Sequence, residues 1–313
     1  MLLKNIFSDE NLIKAWKKSK KGYRCSGIDG ITREIFESDM EKNLQKLRRD
    51  LLTEIYNPSP LTGFERQKGN GKKRSLSILC IRDHVSQQAV HIYVTPFFES
   101  LFCENSFAFR PDRSVDLAVK RIIEIAGTGY RCVLKADIAS FFDTIDRPLL
   151  YKIFYRYVQS PSLLKLVKKW VEVGVIIKGK LLRSEKGIPQ GTVIAPLLSN
   201  IYLHPFDKAM ALRGYPMVRY CDDFVILSRF KKDAGKALEE TVDILKAFRL
   251  TLKKESVLIS DIETGFKFLG KDVFLGINSH YMKGGAGNVH TLSERSGNGA
   301  QKKERKACCN KKK

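Results

Sequence analysis

Three acidic residues stand where acids are unwelcome. Asp137 lies near the end of the apolar run CVLKADI (132–138), and Asp222 and Asp223 sit side by side in RYCDDFVIL (219–227). Carboxylates inside apolar segments are costly unless something pairs with them. If the segments are neighbouring strands of one sheet, the three acids converge at one edge. Two or three hard oxygen donors suit hydrated divalent ions such as Mg²⁺. Two such ions about 4 Å apart activate an attacking hydroxyl and stabilise the leaving oxygen of an in-line phosphoryl displacement. The competing reading of an Asp-Asp pair is an acidic hairpin turn. A third strand acid upstream, in a strongly basic chain, favours the metal.

Two further segments have chemistry to offer. In KGNGKKR (68–74), a turn signal sits among cations. Lys68, Lys72 and Arg74 could neutralise a triphosphate, and arginine adds a bidentate fork. The alternative is a solvated basic turn. In PQG (189–191), Gly191 lets the backbone approach a ligand and Gln190 can donate and accept, although alone the segment is only a loop.

The charge points the same way. The chain of 313 residues carries 56 Lys and Arg against 34 Asp and Glu, a net charge of +22. Such a field fits a polyanion, because each neutralised phosphate releases counterions. It is more than an enzyme of small metabolites needs. The seven cysteines form no CxxC pair, and several lie in apolar runs, which reads as small buried side chains in a reducing cytoplasm. No apolar run approaches roughly 18 residues, so no membrane span is expected.

The elements that must position these groups follow from periodicity. Residues 1–60 are helical, and 61–75 form a hairpin around GNG. A helix covers DHVSQQAVHIYVTPFFESLF, FRPDRS is a turn, and Ser114 caps a helix with Ala118, Ile122 and Ile125 on its apolar side. CVLKADI is a buried strand, 149–173 is helical, and VIIKGKLL turns at Lys178 and Gly179. IPQGTVIAPLLSNIYL runs from loop into helix. MVRYCDDFVIL is two short strands about the acid pair. Leu238, Val242, Leu245 and Phe248 form a helical stripe, and GFKFLG is a short strand. Residues 276–313 are Gly-rich and basic without periodicity, the composition of a disordered tail. The absence of a regular βαβ rhythm predicts an α+β fold.

In order and spacing these segments resemble reverse transcriptases of the bacterial group II intron-like branch. The resemblance covers roughly residues 10–275 and rests on GIDGIT (27–32), KGNGKKRSLSIL (68–79), RDHVSQQAV (82–90), SFAFRPDRS (106–114), LKADIASFFDTID (134–146), GIPQGTVIAPLLSNIYL (187–203), RYCDDFVIL (219–227) and GFKFLG (265–270). It implies a right-hand polymerase fold with an antiparallel palm sheet plus helices, 1–130 being mainly fingers and 131–275 palm. Asp137, Asp222 and Asp223 match the catalytic, metal-binding acids, helped by the backbone carbonyl of Ile138. The ions are two Mg²⁺, with Mn²⁺ as substitute. Lys68, Lys72, Arg74, Gln190 and Gly191 fall at dNTP-binding positions. Phe268, Leu269 and Gly270 fall at the primer grip, and Arg110 and Arg113 at template contacts. Phe142 matches an aromatic that crowds the 2′ position of the incoming sugar, which implies dNTP over NTP.

The implied activity is RNA-directed DNA synthesis on an RNA template from a DNA or RNA primer, in the bacterial cytoplasm. The other class of reading is a catalytically weak RNA-binding, maturase-like or degenerate retroelement protein. The role stays open between spacer acquisition in CRISPR systems, antiphage defence and retroelement mobility. The chain departs from the family at Cys221, where Ala is common, and at Ser256–Val257, where a Lys-Thr pair is usual; Lys253 or Lys254 is then the substitute cation. Residues 277–313 show no helical stripe that would make a thumb. A thumb or integrase function from a partner protein, or a truncated chain, would each account for that.

Overall fold

The computed structural model describes residues 2–22, 26–67 and 73–275. The expected tail at 276–313, and Lys68 and Lys72, lie outside the described residues. Four helices open the chain: α1 (Leu2–Ile6), α2 (Asp9–Gly22), α3 (Arg33–Ser38) and α4 (Met40–Leu52). Thr32 starts α3 by accepting the Ile35 N–H, as expected of a threonine N-cap. Trp16 and Phe36 meet at 4.8 Å between ring centroids. α1 and α2 pack on α5 (Ile81–Glu99), whose first half is buried nearly all round, and α4 packs on α1 and α2.

Two four-stranded sheets follow from the strand pairings. One has the order β2-β1-β4-β5. In it β1 (Leu61–Gln67) and β2 (Lys73–Ile78) form the expected hairpin, and β4 (Val175–Ile177) and β5 (Lys180–Leu182) form the second, turning at Lys178–Gly179. β4 joins β1 in parallel. Residues 175–182 therefore belong to the sheet of 61–78, and a division of the chain at residue 130 does not follow the hydrogen bonding.

The other sheet is antiparallel throughout, in the order β6-β7-β3-β8. Its strands are β3 (Cys132–Asp137), β6 (Met217–Tyr220), β7 (Asp223–Ser228) and β8 (Leu258–Asp261). Successive side chains on a strand alternate between faces, and each face here has its own core. Leu134, Ala136, Phe224 and Ile226 enter the main core with α10 (Ala195–Leu212) and α11 (Lys231–Ala247). Val133, Val225 and Leu227 face a second cluster. That cluster is closed by α6 (Val115–Gly127) and the hairpin β9 (Phe266–Phe268)–β10 (Lys271–Val273). Ser114 caps α6 as predicted, accepting the Leu117 N–H. The fold is α+β, as expected.

Two helical readings shift. The stretch 149–173 is two helices, α8 (Arg147–Val158) and α9 (Pro161–Glu172). Gln159 adopts φ +48° at the break and Ser160 caps α9 ahead of Pro161. On α11 the buried face is Ala234, Ala237, Thr241, Ile244 and Leu245, while Val242 is 46% exposed. Of the expected stripe, Leu245 is fully buried and Leu238 and Phe248 pack partly buried against the main core, so Val242 alone lies off it. Cys80, Cys132 and Cys221 are buried free thiols. Among the described residues no helix is long and apolar enough to cross a membrane.

Candidate active site

Asp137 is the last residue of β3 and Asp223 the first of β7, and the ladder sets them directly opposite each other. Both lie on the face of Val133 and Val225, beyond the end of the second core. Asp222 is not on a strand. With Cys221 it forms the two-residue turn between Tyr220 and Asp223, which are themselves paired in register. The two neighbouring acids are therefore not forced to opposite faces by strand alternation.

The backbone around the acids is pinned on both edges. Asp222 accepts the Ile138 N–H at 3.2 Å. On the far side Lys253 N–H donates to the Asp137 carbonyl at 2.8 Å, and Ala139 N–H to Thr251 at 2.9 Å. Ser256 Oγ accepts the Asp137 N–H at 3.1 Å and donates to the Lys253 carbonyl at 2.7 Å. Cys221 holds φ +60°. A left-handed conformation costs an L-residue about 1–2 kcal/mol, so the turn is held by its surroundings.

The charges are not balanced. Burial, then repulsion from Asp222 and Asp223, pushes the Asp137 carboxyl up to about 6. Lys253 opposes this, its Nζ lying 3.8 Å from Asp137 Oδ2. Asp223 is likewise raised, first by burial and then by Asp222, with Lys135 and Lys253 pulling the other way. Burial and Asp222 push the Cys221 thiol upward, so it is not a thiolate at neutral pH. Among the described residues no three His, Cys, Asp or Glu side chains stand at metal-ligating spacing, so the acids adjoin without closing on one point. Their donor set is all hard oxygen, with Lys253 and Lys135 against three carboxylates, which fits a hard divalent cation.

A second group of predicted residues is brought to this end of the sheet. After Asp137 the chain passes Ser140 (φ +46°) into the short helix α7 (Phe141–Thr144). Phe142 is half-buried, edge-on to Phe141 at 5.4 Å. Its carbonyl accepts the Ile188 N–H at 2.8 Å, and Gly187 N–H donates to Ile145 at 2.8 Å. The 187–191 loop is thereby seated on α7. The other side of that loop meets β2. Ser77 N–H donates to the Gln190 carbonyl at 3.1 Å, and Gln190 Nε2 reaches Asp143 Oδ1 at 3.4 Å. Gly191 has φ +95°, and a Cβ there would stand 2.6 Å from the Ser77 carbonyl oxygen. The Gly191 backbone thus comes close to strand β2. Arg74 lies on β2, opposite Arg66.

Two expectations are corrected. Arg110 is buried at 9% exposure, with Nε on Glu99 at 2.9 Å and Nη1 on the Cys103 and Ser106 carbonyls at 2.7 Å each. A guanidinium so committed braces the loop and does not reach a template phosphate. Arg113 keeps partial exposure, with its guanidinium over the Phe107 ring and Nη1 on the Glu104 carbonyl. Phe268 is fully buried in the second core and cannot touch a primer; only the turn at Leu269 and Gly270 reaches the surface.

Arg219, Asp207 and Ser256 were not singled out as site residues by sequence. Arg219 had a signal: a cation in an apolar strand demands a buried acid. Asp207, within the mostly apolar α10, is that acid, at 2.5 Å.

The reverse transcriptase (RNA-dependent DNA polymerase) profile matches residues 66–273. The chain is 33% identical over 291 residues to protein YkfC of Escherichia coli, covering 80% of this chain and 76% of that protein. It is 33% identical over 191 residues to the group II intron-encoded protein LtrA of Lactococcus lactis, covering 61% of this chain but 31% of that protein. Among solved structures, apo telomerase from Candida tropicalis has a TM-score of 0.56 at 10% identity, over 78% of this chain and 52% of that one, a likeness of fold alone. The chain belongs to the reverse transcriptase family of nucleotidyltransferases, RNA-directed DNA polymerases, on its group II intron-like branch.

Proposed function

We propose that the chain extends a primer with dNTPs on an RNA template, with the β6-β7-β3-β8 sheet as the palm and the β2-β1-β4-β5 sheet with the amino-terminal helices as the fingers. The observation that carries this reading is the opposition of Asp137 and Asp223 with Asp222 in the adjoining turn. In this reading the primer 3′-hydroxyl attacks the α-phosphorus of the dNTP, and pyrophosphate leaves in line. Asp137, Asp222 and Asp223 are the residues to hold Mg²⁺, or Mn²⁺ in its place, assisted by the Ile138 carbonyl. Mg²⁺ bound there would acidify the attacking hydroxyl and neutralise charge on the leaving oxygens.

The chain's own residues do the positioning. Ser256, Lys253 N–H and the Asp222 carbonyl hold the β3 end rigid, so Asp137 meets the reactants in one orientation. Phe142 lies under the sugar and leaves no acceptor for a 2′-hydroxyl. Gln190 and Gly191 couple that floor to β2, and Lys68, Lys72 and Arg74 are the residues assigned to the triphosphate. The turn at Leu269–Gly270 and Arg113 lie along the primer and template. Lys253, with its Nζ 3.8 Å from Asp137 Oδ2, takes the place left by Ser256. The test is extension of a primed RNA template with Mg²⁺ and dNTPs. DNA product supports the reading; binding of RNA without extension would favour the maturase-like alternative.

A further inference from the structure

Arg219 is the largest fully buried cation of the fold, at 0% exposure, and all five of its N–H donors are used. Nε and Nη2 form a fork onto Asp207 of α10 at 2.6 and 2.5 Å. Nη1 also reaches Asn200 Oδ1 of α10 at 3.2 Å, and Nη2 reaches Ser106 Oγ at 2.8 Å. The fifth bond goes elsewhere: Nη1 donates to the Cys221 carbonyl at 2.9 Å. That carbonyl belongs to the residue with φ +60°, and its carbon is bonded to the nitrogen of Asp222. The backbone adds to this. Arg219 N–H donates to the Asn105 carbonyl at 2.8 Å, and Phe107 N–H to the Arg219 carbonyl at 2.9 Å. Arg110 holds the same loop by its bond to the Ser106 carbonyl.

A salt bridge to Asp207 alone would satisfy the buried charge. The bond to Cys221 does something more, because it fixes the peptide that leads into Asp222. We propose that Arg219, clamped by Asp207, is a positioning residue for the reaction: it holds the Cys221–Asp222 turn in its left-handed form and so sets Asp222 against Asp137 and Asp223. Without the clamp the turn relaxes and the acids lose their register, while the sheet and its cores remain. The inference rests on the reading of Asp222 as an acid of the reacting centre.

Two variants of the full chain test it. Arg219→Lys keeps a cation beside Asp207 but lacks the fork that also reaches Cys221. Arg219→Met with Asp207→Leu replaces the buried pair by apolar groups, a change that buried ion pairs often tolerate. Each is compared with wild type in cooperative unfolding, in primer extension, and in the rise of Tm on adding Mg²⁺ alone. In folded variants kcat is expected to fall by about ten-fold or more while KM for dNTP stays within about two-fold, because a small misplacement costs rate before binding. The Mg²⁺-induced rise in Tm is expected to shrink with it. A folded variant with wild-type kcat and an unchanged Mg²⁺ response would overturn the role of Arg219. If the apolar pair does not fold, Arg219→Lys decides. Failure of wild type itself to extend the primer would instead overturn the polymerase reading beneath it.

Discussion

Asp137 lies directly across the β3–β7 ladder from Asp223. Like charges at opposed positions of a sheet destabilise it, and here Asp222 adds a third. The arrangement is poor for the fold and good for gathering positive charge.

Relief of that repulsion should therefore stabilise the protein. Asp137→Asn in EDTA at pH 8 is expected to gain about 1 kcal/mol, or about 1–2 °C in Tm for a chain of this size. The native carboxyl is held at about 6 against an ordinary 3.8, so between these values the folded state binds more protons than the unfolded. This group's contribution is favourable at low pH and is lost as pH rises through about 6. The variant's advantage should accordingly appear as pH climbs across that window and vanish near pH 4. Half-buried His84 and His91, lowered to about 4, act in the opposite sense, but they cancel in the comparison of variant with wild type. Equal Tm values at pH 8 would show that the charges do not oppose each other.

Phe142 should set sugar selection. Its backbone is pinned by Ile188 and its ring by Phe141. Phe142→Val or Phe142→Ala opens room for a 2′-hydroxyl and should raise ribonucleotide over deoxyribonucleotide kcat/KM by about ten-fold, the scale of a steric pocket change. Unchanged discrimination would place the gate elsewhere.

Gly191 should couple the nucleotide floor to β2. In Gly191→Ala the new methyl meets the Ser77 carbonyl at a backbone angle that suits glycine. A loss of about 1–3 kcal/mol in stability is expected, with a higher KM for dNTP. Calorimetry and steady-state kinetics check both; a variant unchanged in each would show that the contact does no coupling.

Ser256 should matter through its hydroxyl. Ser256→Ala strips a partner from the Asp137 N–H and should cost about 1 kcal/mol and lower kcat more than it changes KM. Ser256→Thr, which keeps the hydroxyl, should recover most of the rate. Equal rates in the two variants would discard the hydroxyl's role.

The strands that hold the acids were legible because carboxylates stand out against apolar runs, and because alternation dictates which neighbours share a face. The hairpin turns and the Ser114 cap were legible because each is decided by a few adjacent residues. Arg110 and Phe268 were misread because motif position says nothing of burial. The Arg219–Asp207 pair escaped notice because its partners lie on different elements, twelve positions apart, and only packing joins them. Val242 misled for a related reason: the buried face of the helix runs through Ala234, Ala237, Thr241, Ile244 and Leu245, and its small members carry little apolar signal.

That Asp222 acts at the reacting centre of a template-directed DNA polymerase is the proposal on which the others depend. It is tested most directly by single-turnover extension of a primed RNA template with Mg²⁺ and dNTPs, wild type beside Asp222→Ala, with unfolding curves and RNA binding measured for both. Template-dependent DNA is expected from wild type and a rate at least about a hundred-fold lower from the variant, a loss of about 3 kcal/mol in transition-state stabilisation, with fold and RNA binding retained. No extension by wild type, or equal extension by a folded Asp222→Ala, would contradict it.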